Sequence, residues 1–111
     1  MSIPIQEVFF HTDVAAPANG TELKTKQGTK VLIEIVAVGQ GVAFAGKFQG
    51  KAFADGDYFD VACKNLTTGA SDDDFIANGL YQFELNGVYA IRAKLDAVAN
   101  GTVTIRGREI S

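Results

Sequence analysis

Val31-Leu32-Ile33-Glu34-Ile35-Val36-Ala37-Val38 decides the fold class. The run is β-branched and almost unbroken in apolar residues, the signature of a strand covered over most of both faces. Glu34 shares a face with Leu32 and Val36. An unpaired buried carboxylate is costly, so that face has to reach water or a neighbouring molecule.

Period-two alternation extends outward from this run. Val42, Phe44, Gly46 and Phe48 fall on one face of the next segment. Phe59, Val61 and Cys63 alternate with Asp60, Ala62 and Lys64, which predicts a half-buried strand. Tyr81, Phe83 and Leu85 alternate with Gln82 and Glu84. Ile91, Ala93 and Leu95 alternate with Arg92 and Lys94, and Val103, Ile105 and Gly107 with Thr104, Arg106 and Arg108. Upstream, Ile3 to Phe10 reads as a first strand, with Pro4 near its start where a missing amide is tolerated, and Thr21 to Lys26 as a short one. Asp13 to Gly20, Gly39 to Gly41, Asp55-Gly56-Asp57 and the polar stretch Thr67 to Asp74 read as connections.

No segment keeps a 3.6-residue apolar period over a helix length. About eight short strands separated by turns predict an all-β fold, a two-sheet antiparallel β-sandwich with a jelly-roll-like arrangement, spanning residues 1–111 as one domain. Ile33, Ile35, Phe44, Phe48, Phe59, Val61, Phe83, Ile91, Val103 and Ile105 are its expected centre. One conflict stands out. A two-residue turn at Asn86-Gly87 would pair Tyr81 with Arg92 and drive the arginine among the aromatics. Register in a half-buried strand is strongly specified, so the connection is expected to be longer or bulged, with Val88 plugging the end of the core.

Composition agrees. Of 111 residues, 47% are hydrophobic, enough for a compact interior, and the 12 glycines suit a chain with many turns. The net charge of −3 argues against a general nucleic-acid binder. One cysteine, Cys63, excludes an intrachain disulfide and a multi-cysteine zinc site. The first residues show no signal peptide, and no apolar run nears the roughly 20 residues that span a bilayer. The expectation is a protein without a membrane partner.

Sites of chemistry are sparse. His11, the sole histidine, cannot form a triad or a multi-histidine metal site alone and is read as structural or solvated. Cys63 falls on a core face, where a thiol is inert. Asp55-Gly56-Asp57, with Asp60 nearby, lacks the spacing of a calcium loop and reads as a turn. No catalytic, cofactor-binding or metal residue is assigned. Asp72, Asp73 and Asp74 repel one another, so they are expected in a solvated loop or against a basic patch of a neighbouring subunit. Arg92, Lys94, Arg106 and Arg108 alternate with core residues on the last two strands. If those strands form a hairpin, all four project from one outer face with Arg92 beside Arg106, and need acidic partners: Glu84 or Glu109 within the chain, or the Asp72–Asp74 run of another subunit. Tyr58 and Tyr89 are candidates for an aromatic contact with a glycan.

Several short motifs carry a resemblance: Asn19-Gly20-Thr21-Glu22-Leu23, the strand Val31 to Val38, Phe48-Gln49-Gly50, Asp55-Gly56-Asp57-Tyr58-Phe59, Ala77-Asn78-Gly79-Leu80-Tyr81, Ile91-Arg92-Ala93, and Asn100-Gly101-Thr102-Val103-Thr104-Ile105-Arg106-Gly107-Arg108. In these the chain resembles small β-sandwich proteins of tailed bacteriophages and prophages. Many similar sequences carry tryptophan where this one has Phe59, so a tryptophan-centred sugar platform is not expected there. The resemblance implies a virion component without catalysis, a head accessory, head fibre, or tail and baseplate piece. It would assemble with copies of itself and with other virion proteins, in the host cytoplasm first and then in the particle. A carbohydrate-binding module on the same sandwich is the alternative. Leu32, Val36, Ala43 and Ala45, opposite the core faces, are expected to meet a subunit contact.

Overall fold

A computed structural model describes residues 3–111. Eleven strands follow one another: β1 (Pro4–Val14), β2 (Leu23–Lys24), β3 (Lys30–Val38), β4 (Ala43–Lys51), β5 (Phe59–Asp60), β6 (Cys63–Asn65), β7 (Ser71–Asp72), β8 (Asp74–Phe75), β9 (Gly79–Glu84), β10 (Ala90–Ala99) and β11 (Thr102–Ile110). They form two antiparallel sheets. The six-stranded sheet runs β1-β11-β3-β9-β6-β7, and the five-stranded sheet runs β2-β10-β4-β5, with β8 also pairing β4. The all-β sandwich stands, with eleven strands in place of eight.

The surplus comes from the middle of the chain. The segment read as one strand through Phe59, Val61 and Cys63 is two: Phe59–Asp60 pairs with Gly50 and Gln49 in the five-stranded sheet, whereas Cys63–Asn65 joins β9 in the other. The polar stretch before Phe75 holds β7 and β8, and β8 returns to β4, pairing Phe75 with Gly46. The free side of β4 is thus covered by two short pieces, between which the chain visits the opposite sheet. A strand edge left open invites pairing with other chains, and this arrangement closes it.

Burial follows the alternation. Val31, Ile33 and Ile35 of β3 face inward, as do Phe44 and Phe48 of β4, Tyr81 and Phe83 of β9, Ile91, Ala93 and Leu95 of β10, and Val103 and Ile105 of β11. Val61 and Val88 are half-buried against this cluster. Phe59 is a correction: it is 70% exposed, because β5 is two residues long at the sheet margin and nothing packs beyond it. Phe75 and Phe10 take central places instead. Phe75 packs against Phe48, the tilted rings 4.9 Å apart between centroids, and Phe10 is the extra residue of a bulge where the β1 register shifts between Phe9 and His11. Each ring lies over a glycine. A Cβ on Gly46 would stand 2.2 Å from Phe75, and one on Gly107 2.5 Å from Phe10.

Asn86 and Gly87 both take positive φ, 46° and 84°, and Val88 N–H donates to Leu85 C=O at 2.8 Å. A two-residue turn thus forms at the dipeptide, inside a connection from Leu85 to Tyr89 that is longer than two residues, as expected. The register conflict does not arise at all. β9 and β10 belong to different sheets, so the turn crosses from one to the other and pairs neither with the other.

Candidate interaction surfaces

β10 and β11 also part company. Asn100-Gly101 carries the chain between sheets, so the expected hairpin with four cations on one face does not form. Arg92 and Lys94 lie on the outer face of the five-stranded sheet, Arg106 and Arg108 on that of the six-stranded sheet. The same division separates Leu32 and Val36 from Ala43 and Ala45, so the four do not form one continuous patch.

On the six-stranded sheet, direct cross-strand pairing sets Phe9, Arg106, Glu34 and Leu80 in one row, and Glu7, Arg108, Leu32 and Gln82 in the next. Arg106 Nε donates to Glu34 at 3.0 Å, and Arg108 Nε to Glu7 at 2.7 Å. These glutamates, rather than Glu84 or Glu109, answer the arginines. Leu80 is 49% exposed and Phe9 50%, and Val36 and Val38 continue the apolar strip. Between the rows lies an open recess of about 220 Å³, with Leu32, Leu80 and the Gly107 backbone beside the four charges.

On the five-stranded sheet, Arg92 sits opposite Gln49, and Lys94 opposite Lys47. Arg92 stands over Tyr58, its Cζ 3.9 Å from the ring centroid, with its Nε donating to Gln49 at 2.9 Å. The Tyr58 hydroxyl donates to Glu22, which also pairs with Lys51 at 3.4 Å. Burial and this bonded carboxylate push the Tyr58 phenol up, while the same hydroxyl holds the Glu22 carboxyl down. Lys51 Nζ stands 5.0 Å from the Tyr58 ring and 5.9 Å from that of Tyr89, so the two tyrosines do converge. Alternation along β4 would have revealed their companions Lys47, Gln49 and Lys51.

The acidic run lies at the margin of this sheet. Lys47 meets Asp73 at 3.4 Å and Asp74 at 3.6 Å, so part of the run is answered within the chain. The Asp72 carboxyl is held low by hydrogen bonds with Asp74, whose own carboxyl those contacts push up. Lys94 pairs with Asp96 at 3.6 Å. His11 and Cys63 are both buried. His11 Nε2–H donates to Ala93 C=O at 2.6 Å, and burial alone pushes the Cys63 thiol up, so it stays protonated. Among the described residues these side chains form no nucleophile–base pair.

The fold has close relatives of distant sequence. The SPBc2 prophage-derived protein YomS superimposes with a TM-score of 0.89 at 18% identity, over 100% of this chain and 96% of YomS. The PBSX exported protein XepA gives 0.89 at 16% identity, over 99% of this chain but 38% of XepA, so the chain spans well under half of that protein. No curated protein matches by sequence. The resemblance to small phage and prophage β-sandwich proteins holds, and a family model, XepA, matches residues 4–109: the chain belongs to the XepA family.

Proposed function

We propose that the protein is a non-enzymatic component of a phage or prophage particle, acting through contacts with copies of itself and with other virion proteins. The observation that supports this is the outer face of the six-stranded sheet. Phe9, Val36, Val38 and Leu80 stand exposed there around arginines that already hold carboxylates. Clustered exposed apolar side chains on a stable sandwich suit a protein–protein contact. Family membership points the same way, and the exported character of PBSX XepA fits a working place in the particle or outside the cell. Assembly in the host cytoplasm precedes it. Static light scattering with increasing concentration, and immunodetection in purified particles, test this reading. A strictly monomeric protein absent from particles would overturn it.

A second reading is a glycan contact at Tyr58 and Tyr89. Their convergence on Lys51 favours it, although Arg92 covers one face of Tyr58. Calorimetry against host wall polymers, with Tyr58→Ala and Tyr89→Ala compared, separates the two.

A further inference from the structure

Arg92 differs from the other two arginines. Arg106 and Arg108 hold Glu34 and Glu7, whereas among the described residues no carboxylate pairs with Arg92. Its guanidinium is fixed all the same. Tyr58 lies beneath it, and the Tyr58 hydroxyl is itself held by Glu22. Arg92 Nε donates to Gln49 Oε1, and Gln49 Nε2 donates onward to Asp60 at 3.0 Å. Ring and amide set the direction of the fork, and among the described residues its two terminal nitrogens have no partner. Lys24 and Lys51 on the same face stand against Glu22 and Asp60, so Arg92 tips the local balance to positive. The two tyrosines differ in role. Tyr58 carries Arg92 on one face and is bonded at its hydroxyl, so it is a positioning residue. Tyr89 is half-buried, its hydroxyl has no partner among the described residues, and it lines a recess of about 280 Å³ with Thr25, Lys26 and Ala52. Lys51, 5.9 Å from the Tyr89 ring and 5.0 Å from the Tyr58 ring, joins this recess to the Arg92 fork.

We infer that the glycan of the second reading above is acidic: a phosphate or carboxylate borne on the sugar chain seats on Arg92 while a neighbouring sugar packs on Tyr89. A sugar ring has an apolar face and a polar rim, which an aromatic wall with polar neighbours suits. An open, preoriented guanidinium takes an oxyanion through two N–H bonds, a geometry that lysine lacks. The inference rests on that glycan reading.

Calorimetry on the full chain against wall teichoic acid, polygalacturonate and dextran tests it. One or both acidic polymers are expected to bind, and neutral dextran about tenfold more weakly or not at all. Arg92→Gln should weaken the acidic ligand about tenfold or more, and Arg92→Lys nearly as much, because the fork is lost while the charge is kept. Tyr89→Ala should weaken it by a similar factor. Lys94→Gln removes the same charge from the same face at a residue that Asp96 answers, and should leave binding almost unchanged. Circular dichroism melts verify that the variants fold. If dextran binds as well as the acidic polymers and Arg92→Gln changes nothing, the acidic inference falls and the glycan reading stands. If none of the three binds, both fall. Equal losses from Arg92→Gln and Lys94→Gln would reduce the contact to diffuse charge and overturn it. Binding of inorganic phosphate or phosphatidylglycerol vesicles at equal strength, with no dependence on Tyr89, would overturn it too.

Discussion

A wholly buried carboxylate must be met by donors, and Glu109 is met by backbone. Lys26 N–H donates at 2.9 Å and Gly28 N–H at 2.8 Å, while the Gln6 side-chain amide supplies a third bond. The residue is next to last in β11, on its inward side, and ties down the 25–29 loop that links β2 to β3. Gly28 is required because a Cβ there would stand 2.5 Å from Glu109 Cγ. Alternation does place residue 109 inward, with Val103, Ile105 and Gly107. A glutamate at the inward end of a strand reads as solvent-exposed, since the loop amides that receive it are distant in sequence. Glu109→Gln puts an amide donor against backbone donors. It is expected to cost about 2–3 kcal/mol in chemical denaturation, far more than the same change at exposed Glu84.

Among elements, β8 was the least legible and yet anchors the core. Ser71-Asp72-Asp73-Asp74 looks like loop, and it hides that Phe48 N–H donates to Asp73 C=O and that Phe75 fills the space above Gly46. The readable sign was the glycine itself. Gly46 and Gly107 occupy inward positions of long strands, where a missing side chain marks the close approach of another group. The long strands β3, β4, β9, β10 and β11 were plain from alternation because each is buried on one or both faces. What alternation cannot report is the sheet to which a strand belongs. Successive hairpins and successive sheet crossings show the same pattern of faces, and for that reason Arg92 and Arg106 were expected side by side. Gly46→Ala is expected to displace Phe75 at a cost of about 1–3 kcal/mol. Hydrogen exchange should then speed up at the β8 amides before it does in β3 or β11; unchanged protection of β8 would show that Phe75 is not what holds it.

At the scale of the whole molecule, the two sheets are joined by more than apolar packing. His11 belongs to β1 in one sheet, and its Nε2–H reaches Ala93 of β10 in the other. Burial holds its imidazole below the ordinary value of 6.5, the hydrogen bond to Ala93 pulling the opposite way. The unfolded chain therefore takes up a proton that the native fold resists. This contribution to stability is complete above about pH 6.5 and drains away as pH falls toward the lower native value. His11→Gln removes the titrating ring, so the slope of unfolding free energy between pH 7 and pH 5 should flatten relative to wild type. An unchanged slope would assign the acid sensitivity to carboxylates instead.

β1 and β11 lie side by side from Pro4 to Ile110, and Ser111 N–H donates to Ile3 C=O at 3.0 Å. Residues 3 and 111 are thus neighbours at one corner of the wider sheet. β1 is the outermost strand of that sheet, so fraying should start there, and its amides should exchange before those of β3 in the sheet's middle.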